Sequence, residues 1–208
     1  MPGARSETKL SVSRPMTTTT RNAPSGRKLP LPPGKSVVLI GLMGAGKSSV
    51  GRRLAKALEI PFVDADEEVE RAAGCSIEDI FRLYGESAFR DGEERVIARL
   101  LESGSQVLAT GGGAFMNPRT RERIRQSAVS VWLRADLDLL VRRTSRRGGR
   151  PLLAHGDPRA TLERLMSERY PVYAEADVTV DTTDENIERM VGRILDSLRD
   201  RADAGATP

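Results

Sequence analysis

Short runs of apolar residues alternate along this chain with longer segments in which an apolar residue recurs every three or four positions. The runs are typical of buried strands, and the longer segments are typical of amphipathic helices. We predict strands over residues 36–40, 61–63, 106–109, 128–133 and 178–180. Strands that alternate with helices build parallel sheets, so the pattern predicts an α/β fold with the first strand, which is apolar from Val37 to Ile40, inside the sheet.

Helical patterns fill the intervals between these strands. Their apolar stripes predict helices over residues 50–58, 67–73, 76–84, 92–101, 158–173 and 187–198. Two further helices are indicated by their first residues, because Asn117 precedes a proline and Asp136 precedes an apolar stripe. Both residue types are favoured as N-caps.

Two charged residues fall on the apolar stripes of these helices. Glu93 shares a face with Ile97, and Arg169 lies on the stripe that contains Leu165. A buried charge needs a partner. If its helix begins early, Glu93 can pair with Arg90, three residues before it; otherwise Glu93 lies at a frayed and solvated helix start. Arg169 is expected to meet the carboxylate of a ligand or a buried acid.

The regular patterns stop near both ends of the chain. Residues 1–35 hold seven lysines or arginines, one acid and six prolines, and such a composition does not bury enough surface to fold. We expect a disordered basic extension here, and an organelle import peptide is the alternative interpretation. One folded domain is predicted at 36–199, followed by a second disordered tail at 200–208.

Composition narrows the classes of function. The net charge of the chain is +4, but residues 36–208 contain 26 basic and 28 acidic residues, which argues against nucleic-acid binding by the domain. No run approaches the ~20 apolar residues of a membrane span. A single cysteine permits no intrachain disulfide, and a single histidine argues against Ser-His-Asp chemistry and histidine-rich metal sites. We therefore expect a cytoplasmic protein.

The strongest motif follows the first predicted strand. Residues 41–48 read Gly-Leu-Met-Gly-Ala-Gly-Lys-Ser, and an amphipathic segment begins at once. A strand, a glycine-rich loop and a helix in this order form a phosphate-binding P-loop. Its backbone N–H groups wrap an anion, Lys47 reaches the β- and γ-phosphates, and the Ser48 hydroxyl takes a position on Mg²⁺. The chain is expected to bind a nucleoside triphosphate.

Asp64 and Asp66 directly follow the second predicted strand. Groups just past the carboxyl ends of strands line the ligand crevice of open α/β folds. Beside a P-loop, these two carboxylates indicate a metal contact and a base. The alternative is that Asp66 only caps the helix that follows.

Two more segments are suited to a ligand with negative charge. Residues 110–113 read Thr-Gly-Gly-Gly after the third predicted strand, which indicates either a strained turn or a backbone that approaches a ligand closely. Residues 142–150 contain five arginines and no acid, as in a cationic segment that closes over a triphosphate. An ordinary solvated loop is the alternative for most of these arginines.

In combination, these motifs resemble the shikimate kinase family, which has the P-loop fold of nucleoside monophosphate kinases. The resemblance covers about 36–199 and rests on six motifs in order: Gly41–Ser48, Asp64–Asp66, Phe89–Glu93, Thr110–Gly113, Arg150–Leu153 and Arg169–Tyr173. It implies a three-layer fold with a five-stranded parallel sheet in the order 2-3-1-4-5, flanked by helices and covered by a lid. It also implies an enzyme that phosphorylates the 3-hydroxyl of shikimate with ATP in chorismate biosynthesis.

The resemblance also implies a role for each motif. The residues implied in ATP binding are Gly44, Ala45, Gly46, Lys47, Ser48, Ser49 and Arg150. Ser48 would hold Mg²⁺ directly, and Asp64 would hold it through water. The residues implied in shikimate binding are Asp66, Arg90, Gly112 and Arg169, with Glu93 orienting Arg90. Asp66, Lys47 and Arg150 would be catalytic, with Asp66 as the base.

Other functions remain as alternatives. A gluconate-type sugar-acid kinase on the same fold would also need a carboxylate clamp, and a nucleotide-binding module could have lost its chemistry. The full set of Asp66, Arg90, Gly112 and Arg169 argues against the first, and the intact Lys47, Ser48, Asp66 and both clamp arginines argue against the second. We expect ATP and shikimate as partners, Mg²⁺ as cofactor, no nucleic-acid or membrane partner, and a monomer.

Overall fold

The computed structural model describes residue 31 and residues 34–145 and 157–204. Within these residues, the strands β1 to β5 span Ser36–Ile40, Phe62–Asp64, Val107–Ala109, Ala128–Ala135 and Val178–Thr182. The helices α1 to α7 span Lys47–Leu58, Ala65–Ala73, Ile77–Glu102, Pro118–Ser127, Leu137–Ser145, Pro158–Tyr173 and Ile187–Ala204. A 3-10 turn, Ala114–Met116, precedes α4.

The strands form one parallel sheet in the order β2-β3-β1-β4-β5. In the centre, Val37–Leu39 of β1 pair with Val107–Ala109 on one side, and Ser36–Ile40 pair with Ala128–Trp132 on the other. Every residue of β1 is buried, as is typical of a strand covered on both faces of the sheet. The predicted sheet and its strand order are confirmed.

Because all the strand pairs are parallel, the carboxyl ends of the strands lie at one edge of the sheet. The P-loop leaves β1 at this edge. Asp64 ends β2 there, and the glycine turn 111–113 follows β3. Three predicted motifs are therefore brought together by topology alone.

Side-chain caps fix two of the predicted helix starts. The Asn117 side chain accepts from the amide of Arg119 at 2.9 Å at the start of α4. The Asp136 carboxylate accepts from the amide of Leu139 at 2.7 Å at the start of α5. Each cap satisfies a donor that has no partner inside the helix.

The helix α3 differs from the prediction. We expected separate helices over 76–84 and 92–101, but α3 covers both segments and is broken only at Gly85, where φ is 81° and ψ is 174°. Glycine adopts this backbone conformation readily, whereas a residue with a Cβ is strained there. The helix resumes directly after Gly85, so Arg90 and Glu93 both lie well inside it.

The ends of the domain also differ from the prediction. Leu31, which we assigned to the extension, is 8% exposed and belongs to the hydrophobic core. The helix α7 continues beyond Arg199 and ends at Ala204. The rest of the predicted extension before Gly34, the last four residues of the predicted tail and residues 146–150 of the predicted lid lie outside the described residues.

Among the described helices, none combines the length and the apolar composition that a membrane span requires.

Candidate active site

A cleft of about 810 Å³ opens at the carboxyl edge of the sheet. Its walls come from the P-loop, the end of β2, the glycine turn after β3, and parts of α2, α3, α5, α6 and α7. The predicted site residues that line it are Gly44, Ala45, Gly46, Lys47, Ser48, Ser49, Asp64, Asp66, Arg90, Glu93, Gly112 and Arg169. Arg150, the remaining one, lies outside the described residues.

The P-loop is shaped to hold an anion. Gly44 and Gly46 adopt φ values of 87° and 97°, a region in which a residue with a Cβ is strained. Gly46 precedes α1 and offers its first amides no side-chain cap, so these amides can bind an anion. Lys47 donates from Nζ to the carbonyl oxygens of Gly41, at 2.8 Å, and Leu42, at 3.1 Å. The ammonium group is therefore held at the loop.

Ser48 and Asp64 supply neighbouring oxygen donors in the cleft. The Ser48 hydroxyl donates to Asp64 Oδ2 at 2.6 Å. Oxygen donors of this kind suit Mg²⁺. No group of three histidine, cysteine or acidic side chains able to hold a metal occurs within the described ranges. An ion bound beside Ser48 would therefore take most of its ligands from phosphates and water.

The same carboxylate also begins α2. Asp64 Oδ1 accepts from the amide of Asp66 at 3.2 Å and is the N-cap of the helix. The alternative that Asp66 is the cap is therefore wrong, and α2 begins at Ala65, two residues before the predicted start. With Asp64 as the cap, the Asp66 side chain is available to the cleft.

Asp66 lies in the first turn of α2, in an environment that favours its protonated form. Burial raises the pKa of Asp66, and the negative charge of Asp64 raises this pKa further. The positive charges of Lys47 and Arg90 act in the opposite direction, but burial prevails. A carboxylate with a raised pKa is a stronger base than an ordinary one.

Arg90 and Glu93 form the predicted ion pair. Arg90 Nη1 donates to Glu93 Oε2 at 2.8 Å, and Arg90 Nη2 donates to Glu86 at 3.0 Å. Glu93 is only 2% exposed, so the alternative of a solvated helix start is wrong. Burial raises the pKa of Glu93, whereas the charge of Arg90 lowers it. The pair holds the Arg90 guanidinium at the wall of the cleft.

The first glycine of the turn lies against two carboxylates. A Cβ on Gly111 would lie 2.5 Å from Glu93 Oε1 and 2.8 Å from Asp66 Oδ1. Both separations are below any ordinary contact distance between a Cβ and an oxygen atom. The missing side chain of Gly111 therefore leaves the space in which Glu93 and Asp66 approach each other.

The other two glycines lie against the two arginines. A Cβ on Gly112 would lie 3.2 Å from Arg169 Nη1, and a Cβ on Gly113 would overlap the Arg90 guanidinium. None of the glycines in 111–113 has a positive φ, so backbone strain does not explain them. The strained turn is therefore not seen, and the glycines instead lie close to charged side chains; close approach to a ligand stays a prediction.

Arg169 is the second cation of this cluster. It lies on α6 and is 8% exposed. Within the described part of the chain, no carboxylate lies within ion-pair distance of it, in contrast to Arg90 with its two acids. The charge of Arg169 lowers the pKa of the buried Glu93, but no ion pair joins these two side chains. A direct partner for the guanidinium is thus left to a ligand carboxylate, which suits its donors.

Several residues of the cleft were not predicted from the sequence. Arg143, at the end of α5, donates to the carbonyl of Thr183 at 2.9 Å, and Ile187 and Met190 also line the cleft. A guanidinium and apolar side chains next to a P-loop are suited to the flat base of a nucleotide. The run of arginines at 142–150 contained a signal for Arg143, but nothing in it singled out this residue.

Comparison with known proteins gives a consistent result. The profile described as "Shikimate kinase" matches residues 43–199. The shikimate kinase of Paramagnetospirillum magneticum is 59% identical over 165 residues, which cover 79% of this chain and 85% of the relative. The shikimate kinase of Mesorhizobium japonicum is 55% identical over 164 residues, which cover 79% of this chain and 81% of the relative.

Solved structures agree with these relatives. The shikimate kinase from Acinetobacter baumannii in complex with shikimate has a TM-score of 0.78 at 38% identity, covering 80% of this chain and 94% of its own. A gluconokinase from Sinorhizobium meliloti has a TM-score of 0.55 at 22% identity, covering 86% of this chain and 97% of its own. At that identity the gluconokinase shows a shared fold only.

Proposed function

This chain belongs to the shikimate kinase family, and from this we propose the roles of the residues around its cleft. The protein is an ATP-dependent phosphotransferase that phosphorylates the 3-hydroxyl of shikimate, giving shikimate 3-phosphate and ADP, and it has the P-loop kinase fold of its relatives. One observation supports the proposed roles above all others. Two carboxylates and two guanidinium groups converge on a glycine turn in the same cleft as the P-loop.

On the nucleotide side, residues 44–49 of the P-loop bind the phosphates of ATP. Their backbone amides and the Lys47 ammonium group balance the negative charge that the phosphates carry. Ser48 would hold Mg²⁺, with Asp64 contributing through a water molecule, and their oxygen atoms fit this ion. When bound, Mg²⁺ supplies further positive charge at the β- and γ-phosphates.

On the other side of the cleft, Arg90 and Arg169 bind the carboxylate of shikimate. A planar carboxylate matches the two parallel donors of a guanidinium group. Glu93 orients Arg90 through the ion pair at 2.8 Å. Arg169 forms no direct ion pair with an acid in the described residues, so its guanidinium donors can bind the substrate carboxylate.

The ring hydroxyls are bound by Asp66 and by the backbone N–H of Gly112. The oxygen of the 3-hydroxyl bonds to the γ-phosphorus of ATP, and Asp66 accepts the proton that this hydroxyl loses. The bond between the γ-phosphorus and the oxygen that bridges it to ADP breaks, and ADP leaves. The raised pKa of Asp66 favours this proton transfer. Lys47 stabilises the charge on the phosphoryl group during transfer.

Arg150 is proposed to reach the transferring phosphates from a lid over the cleft. It follows Arg143, which lines the cleft at the end of α5. A closed lid would exclude water and so limit hydrolysis of ATP.

Location and assembly are also proposals. We propose a cytoplasmic monomer without a nucleic-acid or membrane partner. The slight excess of acidic over basic residues in the domain supports only the first of these two absences.

The reaction is tested by measuring ADP release from Mg-ATP with shikimate and, separately, with gluconate. We expect turnover with shikimate, little with gluconate, and loss of turnover when EDTA removes the divalent cation. Tight ATP binding without any turnover on shikimate would contradict the assigned substrate while leaving the P-loop in place. Turnover on gluconate at a comparable rate would favour the sugar-acid kinase alternative.

Substitution of Gly113 tests the proposed role of Arg90. In Gly113→Ala the new Cβ would overlap the Arg90 guanidinium, the flexible end of a long side chain, so Arg90 is displaced while the fold survives. The backbone at Gly113 is right-handed helical (φ −96°, ψ −16°), so alanine adds no strain there. We expect the KM for shikimate to rise about tenfold, as for loss of one charged hydrogen bond, with the KM for ATP unchanged.

Gly92→Ala is the matched control. Gly92 lies on α3 between Arg90 and Glu93, and a Cβ there meets no atom within 4 Å. This variant should retain the wild-type KM for both substrates. A shikimate KM that is the same in the two variants would argue against the assignment of Arg90.

A further inference from the structure

Tyr173 is a polar residue of the substrate region to which none of these roles applies. It is the last residue of α6, one turn after Arg169, and its side chain is 0% exposed. Its hydroxyl donates to the carbonyl oxygen of Gly112, which is 61 positions away in the sequence. The hydrogen bond thus connects α6 to the middle of the glycine turn.

The carbonyls on either side of Gly112 are satisfied within the turn itself. The Gly111 carbonyl accepts from the amide of Ala114 at 3.2 Å, and the Gly113 carbonyl accepts from the amide of Met116 at 3.0 Å. The Gly112 carbonyl faces α6 instead. Glycine can adopt many backbone conformations. A hydrogen bond to the Gly112 carbonyl therefore helps to fix the direction in which the Gly112 peptide groups point.

The same hydroxyl also lies close to Arg169. Arg169 Nη1 and the Tyr173 hydroxyl oxygen lie 3.2 and 3.8 Å from the point that a Cβ on Gly112 would occupy. Burial raises the pKa of Tyr173, and the positive charge of Arg169 nearby lowers this pKa only in part. The phenol is therefore neutral at physiological pH.

An acid offsets the positive charge of the arginine that it binds, whereas a neutral partner does not. Arg90 is held by Glu93 and Glu86, whose charges offset its own. A phenol oxygen can accept from a guanidinium and fix its orientation without cancelling its charge. Arg169, which forms no ion pair with an acid among the described residues, can thereby be oriented toward an incoming anion.

We propose that Tyr173 is a positioning residue for shikimate. Its hydroxyl holds the Gly112 backbone and the Arg169 guanidinium in a fixed relation, so that one substrate molecule can meet both at once. This inference rests on the proposed substrate contacts of Gly112 and Arg169. Tyr173 is not among the residues that line the cleft, so it acts through these two residues.

Tyr173→Phe tests the inference, because it removes the hydroxyl and keeps the ring that packs against Phe115 and Trp132. We expect the KM for shikimate to rise about five- to tenfold, as for loss of one buried hydrogen bond. The KM for ATP should change by less than about twofold, since the phosphate side of the cleft does not depend on this contact. Steady-state kinetics with each substrate varied in turn measures both values.

Tyr170→Phe is the matched control. Tyr170 lies three residues earlier on α6, and its hydroxyl also donates to a backbone carbonyl, that of Ala135. It lines a separate, smaller cleft. We expect both variants to lower the melting temperature to a similar extent, and only Tyr173→Phe to raise the KM for shikimate. Equal shikimate KM values in the two variants would overturn the inference.

Arg169→Ala, measured in parallel, separates this inference from the function on which it rests. If Arg169→Ala raises the KM for shikimate and Tyr173→Phe does not, the positioning role alone is wrong. If Arg169→Ala also leaves the KM unchanged, the proposed carboxylate clamp is wrong, and the role of Tyr173 falls with it.

Discussion

Asp66→Asn is expected to lower kcat by about 10²- to 10⁴-fold, the range for loss of a general base. Asparagine keeps the shape of the side chain and can still hydrogen-bond to a ring hydroxyl, but it cannot accept the proton of the 3-hydroxyl at neutral pH. The KM for shikimate should therefore change much less than kcat. A coupled assay of ADP release, with shikimate varied at saturating ATP, measures the two separately.

The pH dependence of the wild-type enzyme should identify the same residue. Asp66 must be deprotonated to accept a proton, and burial raises the pKa of this carboxyl group above its ordinary value. The rate should therefore fall as the pH is lowered through that raised pKa, by about tenfold per pH unit below it. The residual activity of Asp66→Asn should lack this acid limb.

Glu67→Gln provides the control for this experiment. Glu67 is the next residue of α2, and its exposed side chain is paired with Arg52 rather than directed to the cleft. Its substitution should leave both kcat and the pH profile unchanged. Wild-type turnover in Asp66→Asn would show that the proton leaves by another route.

Lys47→Ala is expected to lower kcat/KM by about 10³-fold, as when a donor to a developing charge is removed. The lysine is the P-loop residue that reaches the β- and γ-phosphates, and it balances charge that grows during phosphoryl transfer. In the structure the Lys47 ammonium group is held by the carbonyls of Gly41 and Leu42 at the loop. The substitution therefore removes a charge from the place where the phosphates bind.

Lys56→Ala, an exposed site in the last turn of the same helix, is the control. It should keep the wild-type kcat/KM. Circular dichroism melting of both variants would show whether loss of the Lys47 contacts affects the fold. If folded Lys47→Ala turned over shikimate at the wild-type rate, the assignment of the P-loop would be wrong.

Local patterns in the sequence were enough to predict much of this site. Asp64 and Asp66 could be placed because residues that follow a parallel strand lie at the ligand edge of the sheet. Arg90 and Glu93 are three residues apart on one helix, so their ion pair depends on helix geometry alone. Arg169 was recognisable because it interrupts an apolar stripe.

The remaining features depend on contacts between distant segments. The hydrogen bond from Tyr173 to Gly112 depends on where α6 lies against the turn after β3, and an apolar stripe does not specify this. Which charged side chain lies against each glycine of the turn 111–113 likewise depends on contacts between segments far apart in the sequence. The gap that we predicted between residues 84 and 92 of α3 is too long. The sequence shows no apolar periodicity next to Gly85, but in the structure Gly85 is the only residue there that leaves the helical conformation.

The order of the strands has a consequence for synthesis of the chain on the ribosome. β1 pairs with β3 and β4 but not with β2, the next strand to be made. The ribosome adds about 5–20 residues per second, so β1 emerges seconds before residues 107–109, its first partner, have been translated. During this interval an apolar strand has no neighbour in its own sheet. The nascent chain is therefore exposed to aggregation, and open to chaperones, until translation has passed the middle of the gene.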